Sequence, residues 1–283
     1  MRTHPLGAFI ICDDGLDLRL HTATRLSIST AQILAPPATH RTAEYTKMLK
    51  EKFEHADIRI TVVFCGFAGE SYADIPTVKR TIGLVPEATR SERLDEARHI
   101  SDFAKKMDVD AIGLHIGFIP EDKDDPVYAD VIAVARELCD HAARNNQRVH
   151  LETGQETAPT LLRFFKDVNR ANLAINFDPA NMILYGSGEP IAALQLVGQY
   201  VKSVHCKDAV WAKNPGLEWG EEVPLGAGDV NMELFLQTLK EIGYVGPLTI
   251  EREISGEEQA KDIEKGVRLL NSLVEKIWGE KND

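Results

Sequence analysis

Eight short Val- and Ile-rich runs alternate with longer amphipathic segments along 283 residues. That alternation and that length predict an α/β chain folded as a (β/α)8 TIM barrel, a fold of typically about 250 residues. The absence of a glycine-rich phosphate loop after the first run argues against the rival, a doubly wound open sheet. There the chain reads Asp13-Asp14-Gly15, not GxGxxG. The expected organisation is a single barrel domain over residues 1–283.

The expected strands are Gly7–Cys12, Arg25–Ser29, Ile58–Cys65, Ala111–Ile116, Arg148–Glu152, Leu173–Asp178, Val201–Cys206 and Leu248–Glu251. Each is short and ends in polar residues. Helical patterns fill the gaps. Thr42–His55 has a charged face. Glu92–Met107 follows Ser91, an N-cap residue type, and spaces Leu94, Ala97 and Ile100 helically. Val127–Asn145, Thr160–Val168, Glu189–Gln199, Met232–Ile242 and Glu257–Ile277 follow. Two connections are long, Gly66–Arg90 and Asp208–Val230. Loops after strands lie on the catalytic face of such a barrel.

Composition narrows the function. With 32 Lys+Arg against 44 Asp+Glu the formal net charge is −12, which disfavours nucleic acid and anionic membranes as partners. The apolar stretch Leu6–Cys12 runs into Asp13 and Asp14 and lacks the apolar length and cleavage site of a signal peptide, so it reads as a first strand. Cys12, Cys65, Cys139 and Cys206 form no CxxC pair and read as free thiols of a reducing compartment, the cytoplasm.

Four strand ends carry the chemistry. Side chains alternate along a strand, so residues two apart share a face. In Val149-His150-Leu151-Glu152 the apolar pair faces the helices and Glu152 faces the barrel axis. The same parity turns Asp178, His205 and Glu251 inward. Any one of these would ordinarily be a loop cap, an ion pair or a core histidine. Together, three carboxylates aimed at one volume would repel each other unless a cation lay between them. Two Glu, one Asp and one His suit a hard or borderline divalent ion with positions left for substrate or water.

At these residues the sequence resembles the sugar phosphate isomerase/epimerase superfamily, the xylose isomerase-like TIM barrels. The matching pieces are His150-Leu151-Glu152, Phe177-Asp178-Pro179-Ala180-Asn181, Val204-His205-Cys206-Lys207-Asp208, Gly226-Ala227-Gly228-Asp229-Val230 and Gly246-Pro247-Leu248-Thr249-Ile250-Glu251. The resemblance implies one divalent metal ion (Mn²⁺, Mg²⁺, Co²⁺ or Zn²⁺) on Glu152, Asp178, His205 and Glu251. It further implies an isomerase or epimerase acting on a sugar or keto-sugar through an enediolate, with Glu152 and Glu251 moving protons on opposite faces. One position departs from the epimerase pattern, Asp-x-x-His on strand six: the fourth residue is Asn181, which can hydrogen-bond a substrate hydroxyl but cannot shuttle a proton. That leaves room for a dehydratase or lyase acting on a keto-sugar or inositol derivative.

The remaining candidates are substrate contacts. His115 ends strand four beside the expected pocket, Gln155 lies just past Glu152, and Lys207 follows His205. Lys207 could steady a substrate oxygen or form an internal ion pair. Glu156 reads as a helix N-terminal charge, and His150 as a residue one layer below the metal. Asp208 could orient a ligand or cap its loop. Trp211 and Trp219 could stack on a sugar, form a lid or close an interface in a homo-oligomer. Gly226, Gly228 and Asp229 read as a turn and helix cap. A related abasic-site endonuclease would need more strand-end histidines than His115 and His205 and a less acidic surface. A carbohydrate-binding barrel without turnover would not need the full ligand set.

Overall fold

A computed structural model describes residues 4–279. The first half of the chain lays down β1 (Leu6–Ile10), α1 (Leu16–Arg25), β2 (Thr30–Leu34), α2 (Ala43–His55), β3 (Arg59–Phe64), α3 (Ile75–Thr81), α4 (Glu87–Lys106) and β4 (Ala111–Leu114). Next come α5 (Pro126–Arg144), β5 (Arg148–Glu152), α6 (Ala158–Val168), β6 (Leu173–Phe177), α7 (Pro179–Tyr185), α8 (Pro190–Val197) and β7 (Val201–Cys206). The chain ends with β8 (Asp208–Val210), β9 (Glu221–Val223), α9 (Met232–Glu241), β10 (Leu248–Ile250) and α10 (Glu257–Trp278). Eight strands close into a parallel barrel in the order β1-β10-β7-β6-β5-β4-β3-β2, while β8 and β9 pair as a separate antiparallel hairpin. The expected (β/α)8 barrel is thus the observed one.

Two expectations shift. The second strand is Thr30–Leu34, not Arg25–Ser29. The alternation in Arg25-Leu26-Ser27-Ile28-Ser29 mimics a strand, but a helix that buries Leu16, Leu20 and Ala23 runs through Arg25. Ser27 then takes a left-handed φ of 57°, which no strand accommodates. Ser91 does not cap α4, which starts at Glu87 behind Pro86 and so runs a full turn longer than its apolar spacing shows. The two long connections hold the short helix α3 and the β8–β9 hairpin, and a further short helix, α7, follows β6.

The barrel separates apolar from polar by strand parity. Leu151, Ile175, Phe177, Val204, Cys206 and Ile250 are buried toward the helices. The facing helices supply matching stripes, such as Leu161, Phe164, Phe165 and Val168 on α6. Inside the barrel sit Gln32, His150, Asn176, Ser203 and His205, all buried. Gly113 is needed here, because a Cβ at this position would lie 2.6 Å from the Phe64 ring. All four cysteines are free, and burial pushes the Cys206 thiol up to about 12. Among the described residues no helix is long and apolar enough to cross a membrane.

The long connection after β7 is organised by one buried carboxylate. Asp208 Oδ2 accepts from the backbone N–H of Gly226 (2.9 Å) and Gly228 (3.1 Å), and Oδ1 from Val230 (3.2 Å). A Cβ at Gly228 would lie 2.3 Å from Asp208 Oδ1, so the carboxylate and the glycine require each other. The glycines therefore shape a turn, as expected. The cap of α9, however, is Asn231, while Asp229 Oδ2 instead accepts from Trp211 N–H. Replacing Asp208 by Ala leaves three backbone amides, that of Val230 buried, without their carboxylate acceptor. The expected loss is on the order of 3 kcal/mol, read from urea unfolding. A loss below about 0.5 kcal/mol would contradict this role.

Candidate metal centre

The four expected donors converge. Glu152 closes β5, Asp178 follows β6, His205 lies in β7 and Glu251 follows β10, four consecutive neighbours in the barrel. One donor atom from each lies within 4.8 Å of all the others, the one such group among the described residues. His205 Nδ1 is 2.9 Å from Glu152 Oε1, 3.3 Å from Glu251 Oε2 and 3.5 Å from Asp178 Oδ2.

Local sequence explains each orientation. Asp178 is the N-cap of α7 and Pro179 its first residue, so Oδ1 is spent on Asn181 N–H (3.0 Å). Thr153 latches the same residue from the neighbouring strand, accepting from Asp178 N–H (2.8 Å) and donating to its carbonyl (2.9 Å). This leaves Asp178 Oδ2 buried with no hydrogen-bond partner and facing the other donors. Gln32 fixes the imidazole. Its Nε2 donates to Asn176 Oδ1 (3.1 Å), so its Oε1 meets His205 Nε2 at 2.7 Å. Nε2 therefore carries the proton and Nδ1 faces the carboxylates. The rings of Phe9 and Phe64, with centroids 5.7 and 5.4 Å from the imidazole, pack around it.

The electrostatics are those of a site built around positive charge. Burial pulls the His205 pKa down, but Glu251 and Glu152 outweigh it and hold it well above the ordinary histidine value. Burial raises the Asp178 carboxyl against the pull of Lys207 and His205. Glu251 is also desolvated, yet His205 and Lys207 carry it below the usual carboxylate range. An orphaned buried carboxylate oxygen, two further carboxylates and an imidazole nitrogen of fixed tautomer fit a divalent cation. Glu152, Asp178, His205 and Glu251 are the residues that would hold it.

The other candidates form a shell around these four. His115, just past β4, places Nε2 3.2 Å from Glu152 Oε2, and Gln155 Nε2 donates to its Nδ1 (3.2 Å) and to Tyr185 Oη (3.1 Å). Asn181 Nδ2 donates to Glu152 Oε1 (3.1 Å). Lys207, fully buried, donates to Asn181 Oδ1 (3.2 Å), Glu251 Oε2 (3.0 Å) and Glu253 Oε1 (2.6 Å). Trp211 stands apart, half-buried against the core and outside the lining of the cavity above the donors. Trp219 packs on Tyr185, ring centroids 4.6 Å apart. His150 lies deeper, 2.8 Å from Ser203 Oγ, and burial holds its pKa near 3. That cavity, of about 790 Å³, is lined by Phe9, Phe64, His115, Glu152 and Glu251 among others.

Gln32, Tyr185 and Glu253 were not singled out in the sequence. Gln32 is the one strongly polar side chain between Ala31 and Ile33, a signal hidden once the second strand is placed five residues too early. Glu253 lies beyond its strand, where parity says nothing.

The chain belongs to the xylose isomerase-like TIM barrel family, whose model matches residues 22–273. It is 53% identical to a xylose isomerase domain protein of Planctomyces limnophilus, whose crystal structure matches with a TM-score of 0.94 over 98% of this chain and 99% of that one. A D-tagatose 3-epimerase-like protein (21% identical, TM-score 0.72) covers 96% of this chain and 99% of its own. A xylose isomerase-like TIM barrel protein of Mycobacterium smegmatis, solved in complex with magnesium, is 19% identical with a TM-score of 0.71 over 96% and 98%. At those identities the likeness shows the fold. An uncharacterized protein of Methanocaldococcus jannaschii is 27% identical over 200 residues, 67% of this chain and 64% of that protein, so the match spans less than two thirds of the relative.

Glu156 is a second buried carboxyl, with neither oxygen hydrogen-bonded. Burial, and then the nearby charges of Glu121 and Glu152, raise its pKa from 4.5 to about 8. Between those values the unfolded chain has lost this proton and the folded one keeps it, so stability falls as pH rises through the window. Glu156→Gln removes that penalty. At pH 7 the variant is expected to be more stable than the parent by on the order of 3 kcal/mol, with the gain vanishing near pH 4. Urea unfolding across this range checks it, and a pH-independent difference would contradict it.

Proposed function

We propose that this chain is a metal-dependent isomerase or epimerase of a sugar or keto-sugar, with the 283 residues acting as one barrel. The observation that carries the proposal is the convergence of Glu152, Asp178, His205 and Glu251, of which Glu152 and Glu251 line an open cavity. Family membership supports it. So do the neighbours described as D-tagatose 3-epimerase-like and as a magnesium complex.

A bound divalent cation would polarise the substrate carbonyl and stabilise negative charge on its oxygen. The chain's own residues supply the rest. Glu152 and Glu251 come from the two outer strands of the donor quartet, so they approach a substrate from either side of the β6–β7 pair. One carboxylate takes the proton alpha to the carbonyl, generating an enediolate, and the other returns a proton, to the opposite face of the same carbon in an epimerisation or to the adjacent carbon in an isomerisation. Each glutamate is steadied by a neighbour, Glu152 by His115 and Asn181, Glu251 by Lys207. His115 lines the cavity beside Glu152, where it can meet a substrate hydroxyl, and Gln155 supports it from behind. The reaction belongs to the cytoplasm, with a small carbohydrate as partner and Mn²⁺ or Mg²⁺ as cation.

Asn181 favours a second reading. Both ends of its amide are engaged, on Glu152 and on Lys207, and it offers no titratable group. Elimination from a keto-sugar or inositol derivative needs the alpha proton removed but no proton shuttle at this position. Both readings require carbon–hydrogen exchange. In D₂O, with Mn²⁺ or Mg²⁺ and a panel of keto-sugars, deuterium is expected to enter the position alpha to the carbonyl, followed by NMR. Glu251→Gln and Glu152→Gln are expected to slow it by roughly a hundredfold or more. Exchange at the parental rate in either variant would refute the proton-transfer roles.

A further inference from the structure

Among the described residues, Lys207 is the one Lys or Arg whose side chain pairs with any of the four donors. Its Nζ lies 3.0 Å from Glu251 Oε2 and 3.8 Å from Asp178 Oδ2. Lys207 follows β7, two residues past His205, so strand parity turns it to the same inward face. Its side chain is fully buried, and a charge in that position is tolerated only against charges of the other sign. Arg252, next to Glu251 in the chain, is spent on Glu222 (3.2 Å) and Asp262 (3.0 Å) and pairs with none of the donors.

An ammonium has three N–H donors, and those of Lys207 are all engaged. Asn181 Oδ1 (3.2 Å), Glu251 Oε2 (3.0 Å) and Glu253 Oε1 (2.6 Å) accept them. Lys207 also lies outside the lining of the cavity. No donor is left for a substrate oxygen. What Lys207 brings to the cluster is a fixed positive charge.

That charge sets a balance. Glu152, Asp178 and Glu251 contribute three negative charges. His205, with its proton on Nε2 toward Gln32, offers a neutral Nδ1. Lys207 cancels one of the three and leaves two, the charge that a divalent ion supplies. Glu253 tethers the ammonium from outside, where its side chain is 60% exposed and screened by water.

We propose that Lys207 is a metal-selectivity residue, a fixed internal cation that brings the three buried carboxylates into balance with a divalent ion and against ions of higher charge. This rests on the reading of the donor cluster as a metal site, and the test separates the two. A fixed charge opposes a bound ion in proportion to the charge of that ion. Removing Lys207 therefore helps a trivalent ion more than a divalent one. A lysine that only held Glu251 and Asn181 in place would make no such distinction, and its loss would loosen the donors for both ions alike.

Calorimetric titration of the metal-free parent, Lys207→Gln and Lys207→Met uses Mg²⁺, Ca²⁺ and Tb³⁺. Ca²⁺ and Tb³⁺ are close in radius and both take oxygen donors, so they differ chiefly in charge. The Tb³⁺-to-Ca²⁺ affinity ratio is expected to rise by roughly tenfold or more in both variants. A variant that folds only with metal still reports this ratio, through metal-driven refolding followed by circular dichroism, because the folding penalty is common to both ions and cancels. A ratio within about twofold of the parent in both variants, however far the separate affinities move, would overturn the selectivity role and leave the metal site standing. A parent that binds none of the three ions would remove the metal site and this role with it.

Discussion

Three carboxylates and one imidazole share a buried volume in which their donor atoms lie within 4.8 Å of one another. That concentration of negative charge is the constraint to which the surrounding structure answers. Lys207 sits fully buried between Glu251 and Glu253, and His205 is drawn toward its protonated form by its neighbours. Both approach Asp178 Oδ2, at 3.8 and 3.5 Å, but it stays without a hydrogen bond. A divalent cation between these atoms would remove the repulsion that holds the cluster at high energy. The polar interior of the barrel serves the same end, because the Asn176–Gln32 pair presents one particular nitrogen of His205 to the carboxylates.

The barrel divides this work by strand. β5, β6, β7 and β10 deliver donors, and β2 with the segments after β1, β2 and β3 delivers a largely apolar wall of Ile11, Leu34, Pro36, Pro37 and Phe67. The loops on the donor side are braced. Asp208 gathers three backbone amides of the connection after β7. Glu222 on the β8–β9 hairpin accepts from Glu253 N–H and pairs with Arg252, and Arg252 also ties down to Asp262 on α10. Glu251 therefore sits in a segment anchored on both sides. This is the kind of support by which binding geometry is kept within a fraction of an ångström.

Much of this was legible in the sequence because strand parity is a strong constraint. Glu152, Asp178, His205 and Glu251 each follow an apolar residue of outward parity, and that sufficed to bring them together. The interior place of His150 followed from the same rule. The fold class was readable from the alternation alone. Less local features were not. Arg25–Ser29 alternates like a strand, yet the helix before it wins, which hid Gln32. Lys207 was open between substrate contact and ion pair, since its partner Glu253 lies beyond a strand end. Asp208 could be weighed as a cap but not matched to amides some twenty residues away. The apolar wall comes mostly from three loops that share no sequence pattern, so only their closure around the barrel assembles it.

The central claim is that these four side chains form one metal site. Elemental analysis of the purified protein tests it most directly, with Glu152→Gln and His205→Ala variants measured alongside. Close to one equivalent of a divalent metal in the parent, lost or much reduced in both variants, is the result this account predicts. A parent that takes up no metal after incubation with Mn²⁺, Mg²⁺, Co²⁺ and Zn²⁺, while remaining folded, would contradict it.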